Sequence, residues 1–229
     1  MLFRSGGLGL TEDRVGVLPY LPPDYLRHSI TKEERDGVRR RHKLPPRYLF
    51  YPAQFWPHKN HQRLIEAVAS LAGEHADLHL VLAGSARGNA RAAACAAALQ
   101  TADRRGIASR IHNLGYVPNV DMAALYAEAV ALVFPTFFGP TNIPILEAWA
   151  LGVPVMTSRI RGVTEQVGDA AVLANPSDTS EIAAAIEHLW TDAVLRADLI
   201  QSGREKLAMY DVPQFDSRLD AIIDRIAHS

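Results

Sequence analysis

Short apolar runs alternate along the chain with longer stretches in which apolar residues recur every three to four positions. Residues 48–51 (YLFY) form the first strong run, and behind it Leu64, Ile65, Val68 and Leu71 fall on one face of a helix. The same pattern predicts strands over 78–83, 111–114, 131–134, 153–157 and 171–173, and helices over 89–105, 122–129, 143–151, 179–190, 194–209 and 214–227. Strands alternating with helices predict an α/β fold, a mainly parallel sheet covered by helices on both faces. Such sheets bind ligands beyond the carboxyl ends of their strands. Candidate sites therefore follow Tyr51, Ala83, Leu114, Phe134 and Thr157.

Residues 1–46 break this pattern. Pro19, Pro22, Pro23, Pro45 and Pro46 divide them, with one candidate strand over 15–18 and a charge-rich helical stretch over 33–43. The reading is a linker and the remnant of a preceding domain over 1–46, one large domain over 47–210, and a C-terminal helix over 211–229. No internal repeat is visible, and the only compositional bias is the alanine-rich helix.

Composition narrows the classes. Of 229 residues, 48% are hydrophobic and 21% charged, as in an ordinary globular protein. With 24 basic against 25 acidic side chains there is no basic excess to bind a phosphate backbone, so no nucleic-acid partner is expected. The single cysteine, Cys95, forbids an intrachain disulfide and suits a reducing compartment. No apolar run approaches the roughly 20 residues of a membrane span, and the opening stretch MLFRSGGLGLTEDR lacks the ~7–15 apolar residues of a secretory signal. The expectation is a cytoplasmic protein, with peripheral membrane attachment left open.

Four strand ends carry candidate chemistry. After the first strand, Lys59 stands at a helix start, where the helix dipole alone would favour an acid. A lysine beside free backbone N–H groups makes sense with an anion between them, the competing reading being a solvated loop lysine. Gly84 directly follows a buried strand and permits a tight turn and close approach, although many strands end in glycine for steric reasons alone. Gly115, Tyr116 and Val117 follow the next strand, either beside a flat base or as an ordinary turn. The fourth segment, FFGPTNIPILEA over 137–148, is the most specific. Pro144 suits a first helical turn, so the N–H groups of Thr141, Asn142 and Ile143 would form an anion cradle. Glu147 follows one turn later, as a carboxylate able to accept both hydroxyls of a ribose or simply as an acid satisfying the dipole.

In this order the segments resemble the C-terminal domain of glycosyltransferase family 4, in its Gly-Pro-Thr-Asn-Ile-Pro variant. The resemblance runs from Tyr48 to Met209 and includes Lys59-Asn60, the 80–84 strand and glycine, 114–117, the 143–155 stretch, and the glycine-and-glutamate turn of Gly162, Glu165 and Gly168. It implies one Rossmann-like half of a GT-B fold, with 47–210 binding a nucleotide sugar. It implies Lys59 as the cation on the donor diphosphate, Gly84 as a donor-contacting turn, Tyr116 and Val117 beside the base, Thr141, Asn142 and Ile143 as the loop meeting phosphate and sugar, and Glu147 as the ribose-binding acid. Two positions depart from it. The family often has an arginine five residues before the lysine, where this chain has Gln54, expected as a donor-binding residue but a neutral and poorer diphosphate partner, and an acid eight residues before Glu147, where this chain has Gly139.

The implied function is a retaining transfer of a hexose from a UDP- or GDP-sugar to a hydroxyl of a glycan or lipid-linked acceptor. Lys59 and Glu147 are the residues expected to carry it, with no metal or cofactor. The acceptor would come through a missing N-terminal domain, so the chain alone would be inactive. The competing functions are a non-catalytic nucleotide-sugar-binding module and a nucleotide-sugar epimerase. Three further signals are set aside. Ser5-Gly-Gly-Leu-Gly9 has no preceding strand. His58 and His61 lack a third ligand at metal-site spacing. Cys95 sits in the alanine-rich helix as packing.

Overall fold

A computed structural model describes residues 18, 20–27, 29–139 and 141–227. The glycine-rich stretch 5–9, the expected strand over 15–18 apart from Leu18, and Pro140 lie outside them. The six strands β1 (Leu49–Pro52), β2 (Leu80–Ala83), β3 (Ile111–Asn113), β4 (Ala131–Phe134), β5 (Val155–Ser158) and β6 (Val172–Ala174) form one sheet in the order β3-β2-β1-β4-β5-β6. Every pairing is parallel, with Leu49 opposite Leu80 on one side and Ala131 on the other. Parallel sheets are buried on both faces. Accordingly β2, β4 and β5 are buried throughout, β1 is open only at Pro52, and the edge strands β3 and β6 are partly open.

Helices α2 (His61–Leu71), α3 (Asn89–Arg104) and α7 (Thr179–Thr191) pack side by side over one face. Helices α4 (Asn119–Ala127) and α5 (Ile143–Ala150) follow β3 and β4, and α8 (Ala193–Leu207) stacks on α5. The apolar stripe read from the sequence is the buried face of α2: Leu64, Ile65, Val68 and Leu71 all lie in the core. The core between these layers is aromatic, with Tyr48, Phe50, Tyr51, Tyr126, Phe134 and Trp149 buried. Tyr48 keeps its hydroxyl satisfied by donating to Leu125 O at 2.8 Å, as a buried tyrosine must.

One element differs from the sequence reading, and the charge-rich helical stretch over 33–43 forms close to its expected bounds. The glycine-bounded turn over 162–168 contains a short helix, α6 (Val163–Val167), which periodicity cannot detect in five residues. Within the proline-broken 1–46 segment, α1 (Lys32–Arg41) starts at a capping box in which Thr31 and Glu34 satisfy each other's backbone N–H groups. It docks on α4: Arg39 bonds Glu128 at 3.0 Å, and Arg41 and His42 both hold the buried Asp121, the latter at 2.8 Å. The last helix, α9 (Val212–Ala227), buries no residue within the described chain. Among the described residues no helix is long and apolar enough to cross a membrane.

Glycines separate close packing from mere flexibility. A Cβ on Gly203 of α8 would lie 2.4 Å from the Trp149 ring, whereas one on Gly37 in α1 would meet nothing within 4 Å. Gly203→Ala is expected to lose about 1–3 kcal/mol of unfolding free energy through overpacking, and Gly37→Ala to gain up to about 1 kcal/mol from helix propensity. Denaturant midpoints at constant m-value measure both, and equal shifts would refute close packing of α8 on α5.

Candidate functional site

Strand order reverses between β1 and β4, so their connections leave in opposite directions and open a crevice at the carboxyl edge. The loop after β1 closes in a 3-10 turn, Pro57–Lys59, before α2. Asn60 follows in the left-handed region at φ 60, buried, and its amide donates to Pro135 O at 3.0 Å and Pro176 O at 2.7 Å. His58 O accepts from Phe137 N at 2.8 Å and from Thr136 Oγ1 at 3.1 Å. The β1 and β4 loops are thus tied together at their base.

Lys59 stands on this tie. Its carbonyl accepts from the Tyr51 hydroxyl, and its ammonium lies 5.0 Å from the centroid of the Phe134 ring. Burial lowers its pKa from the ordinary lysine value. Among the described residues no carboxylate pairs with it. Across the crevice α5 begins at Ile143 with Pro144 in its first turn, and Asn142 as N-cap adopts φ 47. The backbone N–H groups of Thr141, Asn142 and Ile143 have no hydrogen-bond partner among the described residues. The Asn142 amide donates to Gln166 Oε1 at 2.9 Å, while its own oxygen is buried and unpartnered among them. A Cβ on Gly139 would lie 2.0 Å from that oxygen.

The remaining expected residues divide. Gln54 is exposed at the rim, and its oxygen accepts from Trp56 Nε1 at 3.1 Å and from Arg91 at 2.9 Å. Gly84 is held close to the β1 loop, since a Cβ there would lie 2.1 Å from Ala53 O. Backbone packing therefore already accounts for that glycine. Tyr116 is 76% exposed, and its neighbour Val117 is buried in the core. With Trp56, Phe137 and Phe138 it leaves exposed aromatic surface along the carboxyl edge.

Glu147 is buried one turn into α5, and both its oxygens are occupied. Tyr25 donates to one at 2.6 Å and Tyr126 to the other. Burial, reinforced by the Glu147 charge, pushes both phenols well above the usual tyrosine value, so both act as donors. A carboxylate has about four lone-pair sites, so two remain. Tyr25 also walls a cavity of about 750 Å³ between α1 and α4, with Ser29, Arg41, Asn119 and Val120. No sequence signal marked either tyrosine. His58 and His61 belong to no metal-ligating group among the described residues. The group found there, Glu74, His75 and Glu187, lies at the opposite, amino-terminal edge near the start of β2.

Comparison with known proteins decides the family. The family model described as "Glycosyl transferases group 1" matches residues 46–192. The chain belongs to this family. Among curated relatives, the Escherichia coli O-antigen chain mannosyltransferase B is 46% identical over 76 residues, 33% of this chain and 20% of that protein. A solved glycosyltransferase of Rickettsia africae superposes with a TM-score of 0.83 at 16% identity, over 96% of this chain and 60% of that one. Anabaena HepE, solved in complex with UDP and glucose, gives 0.77 at 18% identity over 89% and 55%. The fold is thus the Rossmann-like half of a GT-B glycosyltransferase, and this chain spans between a fifth and three fifths of the length of these proteins.

The first residue of α2, His61, tests how dry the crevice floor is. Its ring lies 4.3 Å from Phe55 and 4.7 Å from Tyr51, centroid to centroid. Burial pushes its pKa down from 6.5 to about 4, against a smaller upward pull from a hydrogen bond with the Ala53 backbone. The unfolded chain therefore takes up this proton near pH 6.5 and the folded chain only near pH 4. Stability is complete above the unfolded value and is lost as the pH falls, by up to about 3 kcal/mol at the lower end. Urea titrations between pH 7 and 4 should show a steeper loss for the wild type than for His61→Phe, and parallel curves would remove His61 as the cause.

Proposed function

We propose that this chain is the donor-binding half of a retaining glycosyltransferase, which moves a hexose from a UDP- or GDP-sugar to an acceptor hydroxyl. The observation that carries the reading is the unpaired, half-buried Lys59 at the reversal of strand order, opposite the open start of α5. A buried charge without a counter-ion is costly unless a ligand supplies one. The diphosphate would sit between Lys59 and the N–H groups of Thr141, Asn142 and Ile143, where developing negative charge is stabilised as the bond to the anomeric carbon breaks. The acceptor oxygen bonds that carbon on the same face, and its proton leaves with the departing phosphate oxygen. Protein groups supply the charge stabilisation in this reading, without a metal. Gly84 and Tyr116 border the nucleoside end, with Val117 fixing the turn from below. The bound UDP and glucose of HepE, which shares the fold, support the donor class.

Glu147 would read the ribose through its two unused lone-pair positions, its direction fixed by Tyr25 and Tyr126. The exposed Trp56, Tyr116, Phe137 and Phe138 suit a facing second domain that brings the acceptor and excludes water. This chain without such a domain is then expected to bind donor and leave transfer at background, and sustained turnover by the purified chain would contradict that division.

Two substitutions test the site by calorimetry. Lys59→Ala should weaken UDP or GDP binding about 10–100-fold, the loss of a charge-assisted contact of ~1.5–3 kcal/mol, without lowering the melting temperature. Glu147→Gln should weaken the ribonucleotide more than the matching 2′-deoxyribonucleotide. Unchanged affinity in the first variant, or equal losses in the second, would remove that residue from the reading.

A further inference from the structure

We propose that Arg91 is a second cation of the diphosphate site, delivered from the first turn of α3 and aimed by Gln54. The proposal rests on the donor-binding reading above and adds a residue to it. Three close approaches bring Arg91 to the rim. Gly84 lets the β2 loop lie directly on the carbonyl of Ala53. Gly88, at φ 96, turns the chain into α3. Helix α3 then packs beside the turn Pro57–Lys59 that carries Lys59. There the guanidinium lies 5.0 Å from the Trp56 ring centroid and donates one N–H to Gln54 Oε1 at 2.9 Å, the same oxygen that takes the Trp56 indole N–H at 3.1 Å.

The chemistry of the partner matters more than the distance. Several arginines that dock elements elsewhere pair with a carboxylate, Arg39 with Glu128, Arg41 with Asp121 and Arg47 with Asp77, while Arg110 is held by the carbonyls of Ala72 and His75. At the rim the tether is a neutral amide and an indole. These fix the guanidinium without cancelling its charge. No carboxylate pairs with Arg91 among the described residues. A guanidinium has five N–H donors in a planar fork, and one is spent on Gln54. The others suit a bidentate grip on a phosphate. Trp56 and Lys59 belong to one turn, closed by Lys59 N donating to Trp56 O at 2.8 Å. Fixing Arg91 on Trp56 therefore fixes it relative to Lys59. In this arrangement Gln54 is a positioning residue, and Arg91 touches the ligand.

The test is calorimetric titration of the full chain with UDP and GDP, and with uridine and guanosine as phosphate-free controls. Arg91→Ala should weaken the diphosphate about ten-fold or more and leave the nucleoside unchanged. Arg91→Lys should recover part of the loss, and Gln54→Ala should show the same selectivity with a smaller drop. The salt dependence of diphosphate binding should flatten in Arg91→Ala, as expected when one phosphate-contacting cation is removed. Unchanged diphosphate affinity in Arg91→Ala beside a weakened Lys59→Ala would overturn the role of Arg91 and leave the donor site standing. Equal losses of diphosphate and nucleoside would overturn it too, by showing that Arg91 acts through the fold. A wild-type chain that binds neither diphosphate would overturn both readings.

Discussion

The widest tie across the carboxyl edge is one buried side chain, the amide of Asn60. A reversal of strand order sends the β1 and β4 connections in opposite directions, and above the paired strands the loops are tied by the bonds of His58 O with Phe137 and Thr136. Asn60 adds the tie that reaches a third strand end. Its amide reaches the carbonyls of Pro135, after β4, and Pro176, after β6, so three strand ends meet at one buried donor group. The left-handed backbone at this residue costs of order 1–2 kcal/mol, a strain that two buried hydrogen bonds offset. The same bend ends the 3-10 turn and sets the direction of Lys59 immediately before it. Removing Asn60 would therefore blur the position of the charge as well as the packing below it.

Charge around this crevice is arranged differently from charge on the α1 flank. On the flank, α1 is fastened to α4 by arginines and a histidine that meet Glu128 and Asp121. At the crevice the cations meet rings and amides: Lys59 faces Phe134, Arg63 lies over Phe137 and bonds Asn60 Oδ1, and Arg91 lies over Trp56. An aromatic face attracts a cation without supplying a counter-charge. Glu147 is withdrawn into the core and held by two phenols, and Glu165 on α6 pairs with Arg161. The positive field is consequently left for an incoming anion.

Much of this was legible in the sequence, and the parts that were not share a cause. Strand ends, the buried stripe of α2, the proline-led start of α5 and the Lys59-Asn60 pair are local patterns, and each falls within a few residues of its expected place. Long-range pairings are invisible to such patterns. Tyr25 reaches Glu147 across 122 positions, and Arg91 reaches Gln54 across 37. Reading Gln54 alone, one sees a missing cation. The fold shows a neutral anchor to which a cation is brought from another element. The prolines around α1 mark breaks on either side of a helix that its run of charged residues indicated, and the structure adds the capping box of Thr31 with Glu34.

Gly139 carries the argument a step further. The resemblance leads one to expect an acid there, and its absence reads as a gap until Asn142 is considered. With Asn142 as the left-handed N-cap of α5, its amide oxygen lies where the first carbon of any side chain at 139 would go, 2.0 Å away. The clash is with the end of a side chain, so an acid at 139 would require Asn142 to swing its amide away from Gln166. The amide is in turn held by Gln166, at the far end of the crevice wall formed by α6. The wall therefore carries an amide network where an acid would have added a negative charge to the crevice. A carboxylate there would offset part of the crevice's positive charge before any ligand arrived. The amide leaves Lys59 unpaired, which is the same choice made at Gln54, and both choices favour a ligand that brings its own negative charge.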